Sequence, residues 1–190
     1  MTLQIVHADR QPPQAWRNGG GSTRELLCWP EATEWSLRVS VADIATDGPF
    51  SAYPGIDRWF AVIDGAGVAL TFADGERFIG TGDAPLRFDG AAAPACRLMH
   101  GPTRDLNLML RGGQGVMRSA EDGVAWEATF KLRGLFTPGA GRWFGEGEER
   151  RLAANTLLWS DAASATVWTF EPDSPQTRAW WLGFTPGGPR

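Results

Sequence analysis

From Glu34 to Ile44 the chain reads EWSLRVSVADI, and its apolar and polar positions alternate. Trp35, Leu37, Val39 and Val41 fall on one side, and Ser36, Arg38, Ser40 and Ala42 on the other. That period of two predicts a strand, because successive strand side chains point to opposite faces. The rhythm continues through Arg58–Gly80, where glycine-containing turns separate the strands and Asp74-Gly75 is the strongest hairpin signal. Pro85–Gly90 and Asp105–Gly113 add two more strands, and Val124–Gly134, Asn155–Asp161, Ala165–Asp173 and Arg178–Gly188 repeat the style. Many short strands with Gly/Pro punctuation predict an all-β sandwich or barrel. Helix is expected only in short pieces, at Glu149–Asn155 or around Gln14–Trp16. The pattern breaks at Gly112–Arg118, which divides the chain into a first half, 1–115, and a second half, 116–190, expected to pack together.

Composition narrows the function classes. The 190 residues are 43% hydrophobic and include ten tryptophans, enough for a packed core. The formal charge is −4, Lys131 is the sole lysine, and the arginines form no stripe, so no nucleic-acid partner is expected. Cys28 and Cys96 sit in apolar surroundings and read as small buried hydrophobes in a reducing compartment. The opening MTLQIVHADRQPP has no basic segment followed by an apolar run, and no apolar stretch approaches membrane-span length. A cytoplasmic protein without a membrane partner is the expectation. His7 and His100 are the only histidines, too few for a metal site built on several of them, so no metal or other cofactor is expected. Each histidine reads as structural.

The polar exceptions on the strands carry the candidate chemistry. Asp105, Asn107 and Met109 share one face and Leu106, Leu108 and Leu110 the other, while Thr23 and Glu25 share a face of an earlier strand. A closed barrel whose lining is polar leaves room for one small ligand. In GPFSAYPGIDR, Gly48–Arg58, Pro54-Gly55 makes a tight turn and Arg58 starts the next strand, placed to reach over a barrel mouth. A guanidinium there matches a carboxylate in two-pronged geometry. Before the first strand, AWRNGGGSTRELLCW holds three consecutive glycines, Gly19–Gly21, without the Gly-Lys-Ser/Thr ending of a phosphate loop. Each feature alone has a plainer reading: a turn, polar residues facing water, a surface ion pair.

WRNGGGSTREL, GPFSAYPGIDR and DLNLML stand in this order within the first 110 residues or so, and together they resemble the HutD/Ves family. The resemblance implies a cupin-like, bicupin-like all-β fold and a role associated with histidine utilisation, regulatory rather than catalytic. HutD-like members are expected to sense a pathway intermediate, N-formylglutamate or urocanate; the Ves branch is linked to stress or cold response. By motif, the implied ligand-binding set is Trp16, Asn18, Gly19, Thr23 and Glu25, then Phe50, Ser51 and Arg58, then Asp105, Asn107 and Met109. One departure is that Arg111 is followed by Gly112 where the family pattern leads one to expect a second basic residue. In this reading the glycines present bare N–H groups to an anion beside the Asn18 amide, and Glu25 is paired with Arg24, Arg58 or another arginine. Two other readings stay open: a metal-independent cupin-type isomerase or hydrolase using Glu25 and Asp105, and a homodimer or partner surface anchored by Trp143, Trp180 and Trp181. Against the latter, those tryptophans would fill the core of the second half.

Overall fold

The computed structural model describes residues 3–162 and 166–187. Among them the regular structure is strand, with two short 3-10 turns at Ala8–Arg10 and Gly90–Ala92. The chain forms two compact units, one running Gln11–Gly112 and the other combining the described residues up to Arg10 with those from Gly113 onward. The expected division at 115/116 thus falls at Gly112/Gly113, and residues 3–10 belong with the second half. Their strand β1 (Gln4–His7) pairs antiparallel with β16 (Thr156–Ser160), and His7 Nδ1 lies 3.0 Å from Thr156 Oγ1.

The first unit holds two antiparallel sheets. The larger has the order β2 (Gln14–Ala15), β3 (Gly21–Trp29), β4 (Leu37–Ile44), β11 (Thr103–Leu110), β6 (Asp57–Asp64) and β9 (Leu86–Asp89). The smaller has the order β5 (Gly48–Pro49), β10 (Ala95–Leu98), β7 (Val68–Phe72) and β8 (Gly75–Ile79). Ile44, Phe60 and Val62 from the larger sheet pack with Val68, Leu70, Ile79 and Cys96 from the smaller. The leucine face of β11 and the Val39/Val41 face of β4 are buried too. The sheet therefore buries side chains on both faces, although its strands alternate in polarity. That makes Ser40, Asp105 and Asn107 conspicuous as buried polar groups. The plainer reading, in which Asp105 and Asn107 face water, is overturned.

In the second unit, β1 and β16 continue into β13 (Leu132–Thr137), β18 (Ala179–Thr185) and β12 (Gln114–Ala120). A three-stranded sheet, β15 (Glu148–Leu152), β14 (Gly141–Gly145) and β17 (Thr169–Pro172), completes that unit. Its core contains Trp126, Trp143, Trp168 and Trp181, with Trp126 stacked on Trp181 at 4.9 Å between ring centroids. Trp143, Trp180 and Trp181 are all buried, so they are not surface anchors.

Both helix expectations fail. Gln14–Ala15 and Glu148–Leu152 are strands. The second closes a hairpin in which Gly145 pairs with Glu148 across Glu146-Gly147, both at positive φ (+55° and +75°). A two-residue loop with both φ positive matches the twist of its flanking strands, and that turn overrides the weak helical propensity of ERRLAAN. The Asp74-Gly75 hairpin is present, with Ala73-Asp74 as its loop and Gly75 pairing with Phe72. Among the described residues no helix is long and apolar enough to cross a membrane.

Candidate functional site

Strand register assembles the polar residues of the first unit. Met109 of β11 sits opposite Arg38 of β4 and Arg58 of β6; Asn107 sits opposite Ser40 and Phe60; Asp105 sits opposite Ala42 and Val62. Residues directly opposite in an antiparallel pair share a face. One face of the large sheet therefore carries Arg38, Ser40, Arg58, Asp105, Asn107 and Met109 into the unit's interior. There they line a cavity of about 660 Å³, with Trp16, Asn18, Thr23, Phe50 and Ser51 also on its wall.

Arg58 dominates the electrostatics. It is 7% exposed and stands over the rings of Phe50, Phe88 and Tyr53, with its Cζ 5.1, 5.1 and 5.7 Å from their centroids. Its Nη2 donates to Asn107 Oδ1 at 3.0 Å, while Nε and Nη1 have no partner among the described residues. Burial pulls its pKa below the ordinary arginine value, opposed chiefly by the nearby Asp105. A desolvated guanidinium with two unused N–H groups is expensive for a fold to hold. The stacked rings offset part of that through their negative faces.

Asp105 is 1% exposed. Its Oδ1 accepts a short hydrogen bond from Asn107 Nδ2, and its Oδ2 has no partner. Burial pushes its pKa up to about 8, only partly countered by the Asn107 hydrogen bond and the charge of Arg58, while Asp43 adds a further push upward. Asn107 thus bridges the two groups, its carbonyl facing the cation and its amide facing the acid.

Nine of the eleven residues expected at the site line the cavity; Gly19 and Glu25 do not. The glycine N–H groups are not bare either. Gly19 N–H donates to the Trp16 carbonyl and Gly20 N–H to Asn18 Oδ1, each at 3.0 Å. The glycines serve close packing instead. A Cβ on Gly21 would lie 2.2 Å from the Asp43 carbonyl oxygen and 3.0 Å from the Trp16 ring, while Gly19 adopts φ +71° in the turn. This turn seats Trp16 so that its Nε1 donates to Thr23 Oγ1 at 2.8 Å. Both residues reach the cavity wall through an arrangement that needs no ligand.

Glu25 does have an arginine partner, Arg38, whose Nε donates to Oε2 at 3.0 Å. Glu25 sits opposite Ser40, on the same face of the sheet as Thr23, but is not on the cavity wall; the bulge in the β3–β4 pairing falls beyond it, between Glu25 and Leu27. With its carboxylate taken up by Arg38 and off the cavity wall, Glu25 does not face one substrate with Asp105 across the cavity, as an acid–base pair would require. Burial, reinforced by Glu25, pushes the pKa of the half-buried Cys28 up to about 12. Arg17, Arg38 and Tyr53 line the cavity as well, outside the set that the motifs imply. For Arg38 the signal was present, since it alternates with Ser40 on the polar side of β4. Tyr53 and Arg17 lie in irregular segments with no periodicity to read. Among the described residues no cluster of three or more His, Cys, Asp or Glu could hold a metal ion.

A family model named HutD matches residues 8–170. The chain belongs to the HutD family. It is similar to the protein Ves of Cronobacter sakazakii, 29% identical over 163 residues that make up 76% of this chain and 88% of that one. It is also similar to the solved structure of HutD from Pseudomonas fluorescens SBW25, determined in a formate condition (TM-score 0.86, 25% identity, 98% of this chain and 100% of that one). A mutant oxalate decarboxylase of Bacillus subtilis matches at TM-score 0.64 and 10% identity over 98% of this chain and 78% of that one, a likeness of fold alone. This member of the HutD family is thus an all-β protein of cupin-like fold, in a family associated with histidine utilisation.

Proposed function

We propose that this HutD-family chain is a non-enzymatic regulatory protein that binds a small carboxylate from histidine utilisation, N-formylglutamate or urocanate, in the cavity of its first unit. The observation that carries the reading is Arg58, a buried cation with two N–H groups unpartnered at a cavity wall. A carboxylate is the natural complement, because its two oxygens accept charge-assisted hydrogen bonds from a guanidinium. Phe50, Tyr53 and Phe88 hold the Arg58 side chain in place before any ligand arrives, which reduces the ordering cost of binding. A non-enzymatic role is supported by the wall itself: Ser40, Ser51 and Thr23 have no histidine or lysine beside them among the described lining residues.

Equilibrium titration of the wild type and Arg58→Gln with N-formylglutamate and with urocanate tests the proposal. Saturable binding of at least one ligand at millimolar concentration or below, weakened at least about 30-fold in Arg58→Gln, is expected from losing a buried charged hydrogen-bond pair. Absence of binding by both ligands, or equal binding by the variant, contradicts it.

A further inference from the structure

Asp105 meets the same cavity with an unused oxygen. Its Oδ1 is fixed by Asn107, its Oδ2 is buried and unpartnered, and Asn107 also fixes Arg58. Arg58 and Asp105 both line one cavity, and Oδ2 of Asp105 and the Nε and Nη1 groups of Arg58 are buried without a partner among the described residues. We propose that Asp105 is the specificity-determining residue of this site: protonated, it donates Oδ2–H to the ligand held by Arg58, so that the cavity takes a carboxylate bearing a second acceptor group and rejects a free amino acid. This inference rests on the carboxylate-binding reading above and deepens it.

Charge balance around the cavity gives the reason. The charged residues on its wall are Arg17, Arg38, Arg58 and Asp105, and Asp105 is the only carboxyl group among the described lining residues. Arg38 is already paired with Glu25. With Asp105 neutral, the wall offers cations and neutral hydrogen-bonding groups but no anion. An ammonium group brought in by a free amino acid would then be desolvated beside Arg58 without a counter-charge, which disfavours it strongly. Acylation of that nitrogen removes the charge and supplies a carbonyl that can accept from Oδ2–H. A plain dicarboxylate offers an acceptor in the same way. With Asp105 ionised, the preference weakens from both sides: the carboxylate meets a like charge, and the ammonium gains a partner.

Every neighbour of Asp105 bears on its protonation. Arg58 on β6 and Asn107 on β11 favour the ionised form, Asp43 on β4 disfavours it, and burial outweighs them. Cys96 on β10 faces it and, like Asp105, is held protonated by burial. A bound carboxylate at Arg58 adds a like charge and an acceptor, and both hold the proton on Asp105 more tightly. Binding of an anionic ligand therefore takes up one proton from solvent wherever Asp105 is ionised in the empty cavity, and none below that range.

The test is calorimetric titration of the full chain between pH 6.5 and 9 with N-formylglutamate, glutarate and L-glutamate, in buffers of differing ionisation enthalpy. At pH 6.5, N-formylglutamate and glutarate are expected to bind at least about 30-fold more tightly than L-glutamate, by the penalty for an unpaired buried charge. Above about pH 8, their affinity is expected to fall by up to about tenfold per pH unit, with proton uptake rising towards one per ligand. Discrimination against L-glutamate shrinks over the same range. In Asp105→Asn, which cannot ionise, the affinity is expected to be flat with pH and the discrimination to persist. Binding that is flat with pH in the wild type, with no proton uptake, overturns the inference and leaves the carboxylate site standing; so does L-glutamate binding as well as its acylated form at pH 6.5. The proton count needs no variant, so it decides even if Asp105→Asn fails to fold. Absence of binding by all three compounds overturns both readings together.

Discussion

Each unit of the molecule buries an arginine against aromatic rings, and the two arginines are satisfied differently. In the second unit Arg133 is 1% exposed and its Cζ lies 4.4 Å from the Trp168 ring centroid. It donates at 2.6 Å to Glu146 Oε1 and at 2.6 Å to the Thr166 carbonyl. Glu146 also accepts from Trp168 Nε1 at 3.1 Å, and it reaches this position from the left-handed turn joining β14 to β15. Arg58 in the first unit has the aromatic support but makes no ion pair among the described residues. The second unit thus supplies, from its own chain, the carboxylate that the first unit's arginine lacks. Its core is closed with tryptophan, whereas the first unit keeps about 660 Å³ open. The same buried device is closed by the chain's own carboxylate in one place and has no such ion pair in the other.

The largest effect expected from this contrast is on stability. Arg133→Gln leaves Glu146 without its cation and should destabilise the fold by about 3–5 kcal/mol in chemical denaturation. Arg58→Gln removes an unpaired buried charge and should change stability by less than about 1 kcal/mol, in either direction. Equal losses would erase the distinction. Trp168→Ala should destabilise by about 3–5 kcal/mol, because it opens a void where three other tryptophans meet. Phe50→Ala at the already open cavity should lose clearly less, by about 1–2 kcal/mol.

Smaller effects sharpen the contrast at the glycine turn and in pH. Gly21→Ala forces a backbone clash and should destabilise by more than about 2 kcal/mol, whereas Gly19→Ala meets open space and should lose about 1 kcal/mol from its positive φ. Similar small losses from both would return the three glycines to an indifferent loop. For Asp105 the folded pKa lies above the ordinary value, so the folded chain holds a proton that the unfolded chain has released. Its contribution to stability is complete below about pH 4 and is lost as pH rises towards about 8. Denaturation midpoints of the wild type should carry this downward slope, and Asp105→Asn should lack it.

The fold and much of the site were legible because alternation is a local property. The leucine and Asp/Asn/Met faces of Asp105–Leu110 follow from a period of two, and so does the polar side of β4 that brings Ser40 and Arg38 to the cavity. The exchange of β1 into the second unit was not legible, since Gln4–His7 pairs with a partner some 150 positions away. Nor was the fate of Glu25, whose carboxylate is taken up by Arg38 of the neighbouring strand, a contact that periodicity does not show. The glycine stretch misleads for another reason. Sequence shows that a backbone needs room, but only packing shows whether a ligand or the Trp16 ring occupies it. The Glu146-Gly147 turn carried a usable signal, a polar residue before glycine between two alternating runs, and it outweighs the helical look of ERRLAAN.

The most direct test of the central claim is nuclear magnetic resonance of the arginine Nε–H groups during titration with N-formylglutamate and with urocanate, with Arg58 and Arg133 assigned through their variants. The account predicts that the Arg58 resonance shifts saturably with at least one of them while the Arg133 resonance, from a side chain off the cavity wall whose Nη2 is held by Glu146, stays in place. A stationary Arg58 resonance at saturating ligand, or equal movement of both arginines, would contradict it.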